Sequence, residues 1–83
     1  MFDPRQVEKL GQAGKFYGVD ARWEQLSAEI IDRCHRAGLA VFADAGGEHQ
    51  PADYLRVIGW GIDVIQTDYP LRLLRAVELH AQK

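Results

Sequence analysis

Gly61-Ile62-Asp63-Val64-Ile65-Gln66-Thr67-Asp68-Tyr69-Pro70 is the stretch that decides the fold. Gly61 halts whatever precedes it. Residues 62–67 are short, mostly apolar and rich in β-branched side chains, the composition of a buried parallel strand. Asp68 can accept hydrogen bonds from the first free N–H groups of a following helix, and Pro70 suits that helix's first turn. The decapeptide reads as strand, tight turn and helix start. In such units the turn lies at the strand's carboxyl end, where α/β proteins place their chemistry.

The rest of the chain reads in similar units. Asp3 as N-cap, Pro4 as first helical residue and Gln6 in a capping box predict a helix over residues 4–13, with Phe2 and Val7 as its hydrophobic staple. Gly11 and Gly14 close it. Phe16, Tyr17 and Val19 favour a strand over residues 15–19, with Asp20 at its end and Arg22 and Trp23 in the connection that follows. Ser27 caps a helix over residues 28–37, with Leu26 and Ile31 as a staple and Ile30, Ile31, Cys34 and Ala37 on one face. Gly38 ends it, and a strand over residues 39–44 finishes on Asp44. After the glycine loop 45–50, Pro51 opens a helix over residues 51–59 that buries Leu55 and Ile58. The strand 62–67 leads to a helix over residues 69–81, with Leu73, Leu74 and Val77 inward and Arg72, Arg75 and Glu78 in solvent.

Asp20, Asp44 and Asp68 recur every 24 residues, and Gly14 and Gly38 keep the same interval. One helix–glycine–strand–aspartate unit is used three times. Strands joined by helices are parallel, with right-handed crossovers. Leu39, Val41 and Ala43 then face the helices, while Ala40, Phe42 and Asp44 face the other way with Phe16, Gly18, Val64 and Gln66. Parallel sheets are normally covered on both faces, and open edges invite pairing. The expected fold class is α/β: three consecutive βα units of a parallel sheet, a partial TIM barrel completed by oligomerisation. The alternative is a small layer in which the helices cover both faces.

Eighty-three residues make one small domain near the lower limit for independent stability. A net charge of −2 gives no electrostatic case for nucleic acid or an anionic membrane. Cys34, the single cysteine, has no internal partner, which fits a reducing compartment. No N-terminal apolar run follows a basic start, and no apolar stretch approaches about 18 residues. The expectation is a soluble, cytoplasmic homo-oligomer.

The opening stretch resembles the closing strand of the glycerophosphodiester phosphodiesterase family, a (β/α)8 barrel whose last unit reads roughly Gly-Val-Asp-Gly-Ile-Ile-Thr-Asp-x-Pro. Gly61, Asp63, Ile65, Thr67, Asp68 and Pro70 match, with Ile62 a conservative substitute. Ala37-Gly38-Leu39-Ala40-Val41 resembles the helix-to-strand step before the family's penultimate strand. The similarity covers about the last sixty residues and points to the C-terminal part of such a barrel. It implies metal-dependent phosphodiester hydrolysis, with carboxylate-held divalent metal and histidines as acid and base. The family's early-strand segments (a His-Arg-Gly turn, a Glu-x-Asp pair and a further His) have no counterparts here. His35-Arg36-Ala37-Gly38 imitates the first but lies near a helix end. Where the family often carries Trp-Thr-x-Asn, this chain has Asp44 for the Trp and Gly47 for the Asn.

The chemical candidates are few. Asp20, Asp44 and Asp68 would share the mouth of any barrel formed and could hold Mg²⁺ or Ca²⁺, which prefer oxygen ligands. Asp68, and Asp20 with it, can equally serve as a cap. Asp44 has no adjacent helix to cap and is the best single candidate. His49 is a base or metal ligand if copies bring several together, and a solvated loop residue otherwise. Arg22 and Trp23 can bind an anion and stack on a ligand, or serve as ion-pair partner and core lid. Two readings follow. One is a self-assembling barrel fragment without catalysis, alone or as a subunit of a split barrel. The other is a phosphodiester hydrolase whose site is rebuilt from Asp44, Asp68 and His49 of several copies.

Overall fold

The computed structural model describes residues 2–14 and 17–82. Asp3 accepts the Arg5 N–H at 3.0 Å and opens a 3-10 turn, Pro4–Gln6, that runs into helix α1, Val7–Ala13. Strand β1 spans Gly18–Arg22 and is followed by a second 3-10 turn, Trp23–Gln25. Helix α2, Ala28–Arg36, is capped by the Ser27 hydroxyl on the Ile30 N–H. Strand β2 (Ala40–Asp44), helix α3 (Pro51–Gly59), strand β3 (Val64–Gln66) and helix α4 (Pro70–Ala81) complete the order. The protein is α/β, with three parallel strands in one open sheet ordered β1-β2-β3 and alternating with helices. Among the described residues no helix is long and apolar enough to cross a membrane.

Among the described residues the sheet is covered on one face only. Val19, Ala21, Val41 and Ala43 are buried on the helix side, the first three in one cluster with Val7, Ile31, Cys34 and Leu39. On the opposite face Asp20, Arg22, Asp44, Val64 and Gln66 are exposed, while Gly18, Ala40 and Phe42 are half-buried. The molecule measures 37 × 27 × 18 Å; the shortest dimension fits one sheet and one layer of helices, each about 10 Å across. The layer with helices on both faces is therefore not the arrangement adopted.

The first strand lies three residues later than its expected place at 15–19. Its alternation of buried and exposed side chains runs through Val19 and Ala21, not through the aromatic Tyr17, which is 82% exposed. Lys15 and Phe16 lie outside the described residues. Gly18 is held in the ladder by close approach, since a Cβ there would strike the Phe42 ring and the Ala40 carbonyl. Ladder partners differ by 22 residues throughout (Gly18 with Ala40, Phe42 with Val64), so the 24-residue aspartate spacing is not the structural register. The connection from Gly14 to β1 is longer than that from Gly38 to β2, and this difference absorbs the offset. Asp20 is consequently a mid-strand residue opposite Phe42.

Other local expectations change for simple reasons. Gly11 does not stop α1 but lies against Ala37, where a Cβ would meet that residue's carbonyl, so it sets the α1–α2 approach. Gln6 does not complete a capping box; its backbone N–H bonds to the Asp3 carbonyl. Tyr54 and Val57 take the fully buried positions of α3, with Leu55 and Ile58 half-buried beside them. On α4 the inner face is Leu73 and Ala76, whereas Leu74 and Val77 are exposed because that flank has no neighbour among the described residues.

β3 is shorter than 62–67 because a side chain replaces part of the ladder. Asp63 donates its N–H to the Val41 carbonyl, and its carboxylate accepts the Val41 N–H at 2.7 Å. The same oxygen lies 2.7 Å from His35 Nε2 at the end of α2. Burial acts to raise this carboxyl, but the Val41 and His35 hydrogen bonds outweigh it and hold Asp63 below its ordinary 3.8. Because the folded value is the lower one, the unfolded chain takes up the proton first. The stabilisation is present above the ordinary value and is lost as pH falls through the folded one. Asp63→Asn keeps an acceptor for Val41 but not the charge, and should cost about 1 kcal/mol or less at neutral pH given the pair's exposure. Denaturant titrations across acid pH should show this gap closing below 3.8; a pH-independent gap would remove the charge from the explanation.

Candidate functional site

The carboxyl end of the sheet brings together most of the polar side chains singled out above. The ladder aligns Arg22, Asp44 and Gln66 in one row on the bare face. Arg22 is exposed; its backbone N–H donates to Gln25 Oε1 at 3.0 Å, and its guanidinium reaches Glu24 at 3.7 Å. Asp44 is exposed in the middle of the row.

Beside this row the loop 45–50 is pinned down by an aromatic cluster. The His49 ring lies on Trp23 at 4.8 Å between centroids and meets Tyr54 edge-on at 5.9 Å, while Trp23 and Tyr54 contact edge-to-face at 5.6 Å. His49 Nε2 faces the Gly46 carbonyl at 3.1 Å, so that nitrogen carries the proton. Arg72, the first-turn arginine of α4, donates to the His49 carbonyl at 3.1 Å and pairs with Glu48 at 2.8 Å. Its guanidinium also covers the Tyr69 ring at 4.7 Å. Arg72, expected in solvent, is thus half-buried as the clamp of the glycine loop.

Thr67, and not Asp68, fixes the turn into α4. Its hydroxyl accepts the Tyr69 N–H at 3.0 Å and shares a 2.7 Å hydrogen bond with the hydroxyl of the fully buried Tyr54. α4 is entered through this turn, Tyr69 stands at its N-cap without a side-chain bond, and Asp68 is exposed. A threonine hydroxyl bonding the N–H two residues on is a known turn device, so this role could have been found in the sequence. Nothing in the sequence pattern points to the Arg72–Glu48 clamp.

Asp20, Asp44 and Asp68 do not converge within one chain: the first is mid-strand, the second ends β2, and the third lies beyond β3. Among the described residues no group of three or more His, Cys, Asp or Glu side chains is close enough to hold a metal ion.

No protein-family model and no curated protein matches this chain.

The one serine, the one threonine and the one cysteine are all taken up by the fold. The single serine, Ser27, caps α2, and the single threonine, Thr67, braces α4. Cys34 is fully buried, and burial pushes its thiol above the ordinary value. The row and cluster together present an exposed guanidinium, an exposed carboxylate and an amide beside an aromatic wall. Tyr54→Phe should cost about 1 kcal/mol, the net worth of one hydrogen bond. Thr67→Val should cost more, because it also strips the acceptor from the Tyr69 N–H. Equal losses in denaturant titrations would mean that the α4 entry does not depend on the hydroxyl.

Proposed function

We propose that this chain is a self-assembling domain, a partial barrel whose bare sheet face and open edges are covered by further copies of itself. The observation that carries this is the one-sided sheet. Parallel strands are stable chiefly when both faces are covered, and unpaired edges are templates for further strands. Here β1 and β3 are both edges. The bare face presents Phe42 and a 45%-exposed Val64 among its charges, with an exposed Tyr17 ring 6.2 Å from that of Phe42.

The resemblance to the C-terminal part of the glycerophosphodiester phosphodiesterase barrel fits this reading. Its matching positions here do architectural work: Asp63 joins β3 to β2 and α2, Thr67 sets the entry to α4, and Pro70 begins that helix. A barrel-like surround would place the row Arg22, Asp44, Gln66 at its mouth.

Absolute mass from light scattering on a sizing column tests the proposal, with and without Mg²⁺. The expected outcome is a discrete oligomer at a whole multiple of the 9.4 kDa chain mass. A well-folded particle of one chain would overturn it.

A further inference from the structure

We draw no further inference here: the strongest candidate, the exposed apolar flank of α4 at Leu71, Leu74 and Val77, carries nothing because nothing among the described residues shows what covers it.

Discussion

The constraint on which this structure depends is that every helix packs on the same face of a three-stranded parallel ladder. Val41 sits at its centre, fully buried, with β1 on one side and β3 on the other. Burying Val19, Ala21, Val41 and Ala43 against the helices supplies most of the driving force for the sheet. The same pleat turns Asp20, Phe42, Asp44, Val64 and Gln66 outward. One periodicity thus produces both the core and the surface that lacks cover.

The two ends of the ladder are finished by different devices. At the amino end Asp63 substitutes a carboxylate for a backbone acceptor, answering the Val41 N–H and tying in His35. At the carboxyl end the Tyr54 and Thr67 hydroxyls and the Arg72 guanidinium fasten α3, α4 and the glycine loop together. The amino end is an architectural junction. The carboxyl end keeps Arg22, Asp44 and Gln66 outside its brace and open to a ligand or to another copy.

What was legible in the sequence is what local physics controls. Ser27, Gly38 and Pro51 bound α2 and α3 because a cap hydroxyl, a left-handed residue (φ 80° at Gly38) and a first-turn proline act within a few residues. The inward set Leu39, Val41 and Ala43 followed from alternation alone. Phe16 and Tyr17 draw the expected β1 too early through their high strand propensity, yet propensity yields to packing: Val19 and Ala21 bury against Ile31 and Cys34, and Gly18 fits closely against Phe42. His49 was not legible as a packed residue. Its position depends on the nearby Tyr54 and also on Trp23 and Arg72, which are distant in the chain and meet it only once the ladder has formed. Asp68 makes no cap, because the neighbouring Thr67 fixes the turn before α4 through the Tyr69 N–H, and spacing alone does not settle which of two adjacent acceptors is used.

The aspartate repeat shows how a real periodicity can mislead about a site. Asp20, Asp44 and Asp68 are equally spaced in sequence, but the ladder advances by 22 residues per strand, so each successive aspartate slips two positions toward the carboxyl end. Two residues is one full pleat repeat, so Asp20 and Asp44 both stay on the bare face. The slip separates them along the strand direction by about 7 Å for each step. The carboxylates therefore form a diagonal and not a ring. A diagonal of charge spreads repulsion along the sheet and leaves Arg22, level with Asp44 on the next strand, as the nearest compensating group in the ladder. On a sheet with one face uncovered, that arrangement keeps the exposed surface from being uniformly apolar.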